Sequence, residues 1–275
     1  MLIPLIDNTS GQTLPPSDSP DKDQYKPELS IVIPVKDEED NVFLLARRVG
    51  MVFAEHPSVR WECIWVDDGS TDRTLERIKK VAEVDSHHRL VVLTQNCGQS
   101  AALRAGFSAC RGDYIATLDG DLQNDPQDLP RLLAELKVKQ VDMVTGFRAR
   151  RQDNLIRIIS SRVANFVRNR FTKETIKDVG CSVRVMRHDC VRNLPAVRGM
   201  HRFLPTLVKM EGYRVEQLPV SHHSRRHGIT KYGIGNRLWV GIGDLLWVRW
   251  YQKRYVQAVA LEYVTAEEEV GVVHG

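Results

Sequence analysis

An α/β fold, with a mainly parallel central sheet flanked by helices, is the class this sequence predicts, and three observations carry it. Between Leu29 and Gly146 short apolar runs alternate with longer amphipathic stretches, the order of strand and crossover helix. The runs that begin at Leu29, Cys63 and Tyr114 all end in carboxylates, as strands do when their carboxyl ends line a ligand crevice. A chain of 275 residues with 42% hydrophobic content is long enough to bury one large core, or one core and a small appendage.

Taken in order, Leu29 to Pro34 reads as a buried strand that Pro34 brings to an end, and Val35 to Asn41 as an acidic turn into a helix reaching about His56. Cys63 to Val66 is a second strand. It runs into Asp67-Asp68-Gly69-Ser70-Thr71-Asp72, a turn with a Ser or Thr cap for a helix from about Thr71 to Val84. Leu90 to Leu93, a helix from Ser100 to Cys110, the strand at Tyr114, a helix from Pro126 to Lys139 and the strand Asp142 to Thr145 follow. The stretch from Gln95 to Gly106 has neither a Walker lysine nor a G-x-G-x-x-G spacing, so its small residues read as a close-packing helix face rather than a phosphate loop. Self-similarity at a period of about 20 to 50 residues, which would signal a repeat protein, is not found.

Asp119-Gly120-Asp121 closes the apolar run from Tyr114 to Leu118 and is the most informative stretch. Strand side chains alternate, so Asp119 and Asp121 point the same way, and Gly120 leaves room for close backbone approach. Two convergent carboxylates make a hard oxygen site for Mg²⁺ or Mn²⁺, which shares its shell with phosphate oxygens.

Charge is uneven along the chain. From Gly146 to Arg254 there are 23 Lys or Arg against 7 Asp or Glu, leaving 16 basic and 28 acidic residues elsewhere. The basic half suits an anionic partner, and its arginines lie scattered between apolar positions without a nucleic-acid-binding motif. A diphosphate leaving group, a lipid phosphate and a membrane surface fit it better than nucleic acid. The five cysteines form neither a C-x-x-C pair nor an even framework, which points to a reducing compartment and small buried apolar roles. No basic n-region followed by an apolar stretch opens the chain, which argues against a secretory signal.

The signatures Ile31 to Pro34 with Glu38, Val66 to Ser70, Asn96 to Gly106, Asp119 to Gln123 and Arg225 to Lys231 occur together and in one order. On them the chain, from about Leu29 to Arg254, resembles the family 2 glycosyltransferases with the A-type nucleotide-sugar-binding fold, most of all the polyprenyl-phosphate (dolichol-phosphate mannosyltransferase-like) sugar transferases. The resemblance implies a metal-dependent, inverting transfer of a sugar from a nucleoside diphosphate sugar to a polyprenyl phosphate. It places Asp119, Asp121, Arg184, Arg202, Arg225 and Lys231 in catalysis, and Pro34, Glu38, Asp67, Asp68, Asp119 and Arg226 against the donor. Asp119, Asp121 and Gln123 are the implied metal ligands. Arg225, Arg226 and Lys231 suit a loop closing over diphosphate, since arginine forks bind phosphate bidentately and lysine serves as a point charge. Asp178-Val179-Gly180-Cys181-Ser182-Val183-Arg184 stands where the family has an Asp, a small-residue turn and a basic residue near the sugar, but departs from the commoner Ser-Gly-Phe version, so the sugar is left open. His222 and His223 are secondary candidates for the metal's remaining face, and His201 a weaker one.

Beyond the predicted core, Leu155 to Phe171 reads as a basic amphipathic helix carrying Arg157, Arg162, Arg168 and Arg170. Leu238 to Val248 is an apolar segment of eleven residues, short of the roughly 20 a membrane span needs. Trp239, Ile242, Leu246 and Trp250 recur at helical spacing and Arg249, Lys253 and Arg254 follow, the pattern of an interfacial helix; packing on the catalytic core is the competing reading. The expected organisation is a flexible tail over 1–27, a catalytic domain over 28–232, amphipathic interfacial or packing helices over 233–257, and an acidic flexible tail over 258–275. The protein is expected in the cytoplasm, at the cytoplasmic membrane surface, with room for a membrane protein partner; oligomeric state is left open. Two other readings stay open: a soluble transferase of the same fold acting on a glycan hydroxyl, with Asp178 as its base, and a non-catalytic nucleotide-sugar-binding protein.

Overall fold

A computed structural model of the chain describes residues 26–148, 170, 176–178, 180–195, 197–223, 234–256, 259–261 and 272–274. In chain order the elements are β1 (Leu29–Val35), α1 (Glu39–Ala54), β2 (Trp61–Asp67), α2 (Thr74–Val84), β3 (His88–Val92), α3 (Gln99–Ala109), β4 (Tyr114–Thr117), α4 (Asp128–Lys139), β5 (Met143–Arg148), β6 (Arg184–Arg187), α5 (Leu204–Met210), β7 (Val215–Val220), α6 (Ile234–Arg254), β8 (Val259–Leu261) and β9 (Val272–His274). Seven strands form one sheet in the order β3-β2-β1-β4-β6-β5-β7. Only β6 runs antiparallel to its neighbours, so the sheet is mainly parallel, as the alternation of elements predicts.

Strand periodicity divides the core between the two faces of this sheet. Leu29, Ile31 and Ile33 of β1 and Trp65 of β2 pack with Leu45 and Val49 of α1 and Leu129 and Leu132 of α4. Val32, Ile64 and Val66 point the other way, against Ala102, Leu103 and Phe107 of α3, Leu204 and Leu207 of α5 and Val248 of α6. Gly106 makes the second face possible, because a Cβ there would overlap Val32 and come within 3.0 Å of Val66 Cγ2. Gly106→Ala is therefore expected to lift α3 from the sheet and cost about 1–3 kcal/mol by urea unfolding, well above the gain in helix propensity.

Strand order reverses beside β1: β2 and β3 lie on one side of it and β4 on the other. At such a switch point the loops leaving adjacent strands diverge and open a crevice beyond their carboxyl ends. The acidic ends of β1, β2 and β4 all meet there.

Four features escape the periodic pattern. β6 is four residues long with arginine at both ends, yet buries Arg184, Val185 and Met186. β7 contains Pro219, which is tolerated because β7 is the sheet's edge. The apolar stretch predicted over 238–248 lies inside a longer helix, α6, of 21 residues. Where a flexible acidic tail is predicted over 258–275, the backbone instead pairs β8 with β9 antiparallel, and the apolar residues Val259, Leu261, Val272 and Val273 supply the strand-forming composition. The predicted 1–27 tail lies outside the described residues except for 26 and 27, and the predicted basic helix lies outside them except for 170.

Candidate active site

Two strand-end turns are tied together before any ligand is considered. After β1, Asp37 adopts a left-handed backbone (φ +48°), its N–H donates to Ser70 Oγ at 3.0 Å, and its Oδ1 accepts from Thr71 N–H at 2.7 Å. Glu38 N–H donates to Thr74 Oγ1 at 2.8 Å and its carboxylate accepts from Asn41 Nδ2 at 2.6 Å. Lys36 Nζ reaches Gly69 O at 2.8 Å. The turn after β2 is anchored in its own right. Asp68 Oδ1 accepts from Cys97 N–H at 2.7 Å, and both its oxygens from Gly98 N–H, at 3.1 and 2.9 Å, so this carboxylate fixes the entry to α3. Asp67 is buried and Ser70 N–H approaches its Oδ2 at 3.4 Å, while its Oδ1 has no hydrogen-bond partner among the described residues. A buried carboxylate oxygen left this way calls for a donor from a ligand or water.

Beyond β4, Gly120 is required by contact: a Cβ would stand 2.6 Å from Val35 Cγ1. Leu122 is buried in a left-handed conformation (φ +60°), a backbone strain of about 1–2 kcal/mol that turns the chain so that Gln123 N–H meets Asp121 Oδ1 at 3.2 Å. Asp119 accepts from Gln99 Nε2 at 3.0 Å and from Ser182 Oγ at 2.6 Å. Burial pushes the Asp119 carboxyl above its ordinary range and the Asp121 charge adds to the push, against Ser182, Arg184 and Arg148, which favour ionisation. Two carboxylates close enough to repel, at the end of a strand in a crevice, are the donor set a hard divalent cation relieves. Among the described residues no cluster of three or more His, Cys, Asp or Glu is placed to hold a metal; Asp119 and Asp121 would offer Mg²⁺ or Mn²⁺ two hard oxygens. His222 is brought beside this loop by a bridge to Asn124. His223 donates its N–H to Gln123 O at 2.8 Å, and its ring nitrogen lies 3.1 Å from Asp125.

A cavity of about 190 Å³ opens on Asp119, with Pro34, Gln99, Ser182, Arg184, His201 and Arg202 among its lining. Arg184 is buried and its Nη1 donates to His201 O at 3.0 Å. Burial lowers the Arg184 pKa, and the nearby Asp119 and Asp178 carboxylates oppose that shift. The His201 pKa falls to about 3, through burial and then the charges of Arg202 and Arg184. His201 is thus neutral at physiological pH, and its Nδ1 lies 2.9 Å from Ser100 Oγ. Gln99, Ser100 and Ser182 lie inside stretches the sequence marks without being singled out within them, and Asn124, which hydrogen-bonds Ser182 at 2.8 Å, lies outside every such stretch. Asp178 is buried and locked to Arg148, whose Nε and Nη2 donate to its two oxygens at 2.7 and 2.9 Å. Arg225, Arg226 and Lys231 lie outside the described residues.

The sequence model for "Glycosyl transferase family 2" matches residues 30–194, which include every strand end just described. The chain belongs to glycosyl transferase family 2. Over 230 residues the transferase is 41% identical to a dodecaprenyl-phosphate galacturonate synthase of Rhizobium johnstonii, covering 82% of this chain and 68% of the relative. Over 205 residues it is 38% identical to an undecaprenyl-phosphate 4-deoxy-4-formamido-L-arabinose transferase of Pseudomonas fluorescens, covering 74% of this chain and 60% of that one, so these relatives extend well beyond the matched part. The fold is shared with the glucosyl-3-phosphoglycerate synthase of Mycobacterium tuberculosis in complex with Mn²⁺, UDP and phosphoglyceric acid, at a TM-score of 0.63 and 16% identity over 90% of this chain and 87% of that one. It is shared also with a Pyrobaculum calidifontis mannosyltransferase in complex with GDP-Man and Mn²⁺, at a TM-score of 0.53 and 19% identity over 71% and 56% of the two chains. The chain is a glycosyltransferase with the A-type fold that its sequence resembles.

Proposed function

We propose that the transferase moves a sugar from a nucleoside diphosphate sugar to a polyprenyl phosphate, inverting the anomeric centre, with a divalent cation held by Asp119 and Asp121 and completed by Gln123. The observation that carries this reading is the cavity's charge: among its described lining residues Asp119 is the only carboxylate, and it faces two arginines, Arg184 and Arg202. An acceptor hydroxyl needs a base to take its proton. Asp178, the available candidate, has both oxygens committed to Arg148. A lipid phosphate needs none, because with a second pKa of about 6 it is already an anionic nucleophile at neutral pH. The two curated relatives, both named for polyprenyl-phosphate acceptors, support the same acceptor class.

In this mechanism one phosphate oxygen of the acceptor forms a bond to the anomeric carbon as the bond to the nucleoside diphosphate oxygen breaks. Held by Asp119 and Asp121, Mg²⁺ or Mn²⁺ would supply Lewis-acid stabilisation of the charge that builds on the departing diphosphate. Asp67 and Glu38 offer acceptors to the base and ribose, Arg184 and Arg202 hold the incoming phosphate, and Arg225, Arg226 and Lys231 close over the leaving group. Transfer to undecaprenyl phosphate with no product on undecaprenol is the expected result in a paired acceptor assay. Equal transfer to both lipids would favour the hydroxyl-acceptor reading.

Peripheral membrane attachment belongs to the same proposal. Among the described residues no helix is long and apolar enough to cross a membrane. One face of α6 packs inward through Val248, but Leu246 and Trp250 are 57% and 54% exposed, and Arg254 stacks over the Trp250 ring at 5.3 Å. That outward face suits a headgroup layer, with the ring at the interface and the cations toward anionic lipid. Leu246→Ser combined with Trp250→Ser is expected to weaken flotation with anionic vesicles about tenfold or more, given roughly 1.5–3 kcal/mol for each fully buried apolar side chain. Unchanged flotation would leave α6 as a packing element.

A further inference from the structure

α6 presents two faces, and the inner one meets the turn that carries Arg202, a lining residue of the cavity. Asp244 and Val248 lie one turn apart on the inner face, where Val248 is fully buried in the core cluster against which Leu245, Trp247 and Tyr251 also pack. The Asp244 Oδ2 accepts from Arg202 Nη1 at 2.8 Å, with the aspartate side chain only 15% exposed. The turn that carries Arg202 closes directly onto this carboxylate: Gly199 is left-handed (φ +81°), and a Cβ there would lie 2.7 Å from Asp244 Cγ and both its oxygens. From that turn His201 and Arg202 extend into the cavity lining, and the His201 carbonyl takes the Arg184 hydrogen bond. Asp244 itself is not among the lining residues.

We infer that Asp244 is a positioning residue: it fixes the Arg202 guanidinium at the cavity wall and ties that wall to the helix whose other face carries Leu246 and Trp250. An unpaired arginine at a cavity rim samples many rotamers and gives up that freedom when it binds an anion, whereas a guanidinium already held at one nitrogen meets the anion with most of the ordering done. Nη2 and Nε remain as donors for a phosphate oxygen while Nη1 stays on the carboxylate. Seating α6 on a lipid surface and holding Arg202 then depend on the same helix, so acceptor approach and the placement of the Arg202 guanidinium are coupled.

This inference rests on the transferase reading, and the test is a double-mutant cycle on Asp244→Asn, Arg202→Ala and the combination, with undecaprenyl phosphate as acceptor. Asp244→Asn is expected to lower kcat about tenfold to a hundredfold with the donor KM nearly unchanged, and to add almost nothing once Arg202 is alanine. Losses that simply multiply would overturn the positioning role and make Asp244 a fastener for the helix alone. The parent chain runs in the same assay: no lipid-linked sugar from the parent contradicts the transferase reading, whereas multiplicative losses in an active parent contradict only the inference. Hydrogen exchange needs no turnover and judges the contact either way. Asp244→Asn should speed exchange at the amides from Met200 to Phe203, and unchanged exchange there would mean that the carboxylate does not hold the turn.

Discussion

Asp119→Asn is expected to lower sugar transfer at least a hundredfold to a thousandfold while raising the melting point of the metal-free protein. Both effects have one cause. The Asp119 carboxyl is pushed above its ordinary pKa by burial and by Asp121, so at neutral pH and without a cation its charge opposes the folded state. The sign follows from linkage: a carboxyl with a raised folded pKa lowers stability above its unfolded pKa, and the penalty fades as pH falls. Asparagine removes the charge and keeps the contacts, because its amide can donate to Ser182 Oγ and its carbonyl can accept from Gln99 Nε2. In the proposed mechanism the same change would take an anionic oxygen from the residues that hold the cation, and with it stabilisation of the charge developing on the leaving diphosphate. Thermal melts with and without Mn²⁺, beside turnover, check the pair. The parent should gain stability from Mn²⁺ and the variant should not; a Mn²⁺ response that survives in the variant would remove Asp119 from the metal site.

Arg148→Ala should be the most destabilising single change in the crevice wall. Asp178 has 5% of its side chain exposed and Arg148 18%, so removing the guanidinium strands a buried carboxylate. Breaking such a pair from one side costs about 3–5 kcal/mol, of which the lost attraction is the smaller part. Replacing both partners with apolar residues, Arg148→Met with Asp178→Leu, should recover much of that loss in urea unfolding. Because Gly180 sits against Arg148 Nη2, where a Cβ would come within 2.9 Å, the single variant should also loosen the turn that carries Ser182 and Arg184. Additive losses in the double variant would mean the two side chains act independently.

The parts of this site that the sequence discloses are those written in local chemistry. Apolar runs ending in Pro34, Asp67 and Asp119 mark β1, β2 and the end of β4 because each strand carries its own period and its own terminator. Asp-Gly-Asp marks the proposed cation site because one strand end brings both acids and the small residue between them. What the sequence conceals are partners brought together only by folding. Ser182 meets Asp119 across 63 residues and His201 meets Ser100 across 101, and a lone serine or histidine has no local signal of such a meeting. The Asp178 carboxylate reads as a possible base until Arg148, 30 residues away, is seen to occupy it. Strand β6 is hidden for a different reason: Arg184 is a buried cation in a four-residue strand, and strand periodicity rests on apolar residues. Arg184 lines the cavity, with its Nη1 held by the His201 carbonyl.

The central claim, that sugar moves onto a lipid phosphate with loss of a nucleoside diphosphate, is tested most directly by following both labels through one reaction. Undecaprenyl phosphate carrying ³³P and a donor carrying a ¹⁴C sugar are incubated with the protein, Mn²⁺ and anionic vesicles, after the donor base and sugar have been chosen by thermal shift. The expected product is a lipid with one ³³P and one ¹⁴C label in equal amounts, released together with nucleoside diphosphate and absent when EDTA replaces Mn²⁺. Release of nucleoside monophosphate with a lipid diphosphate product, or ¹⁴C incorporation that is undiminished by EDTA, would contradict it.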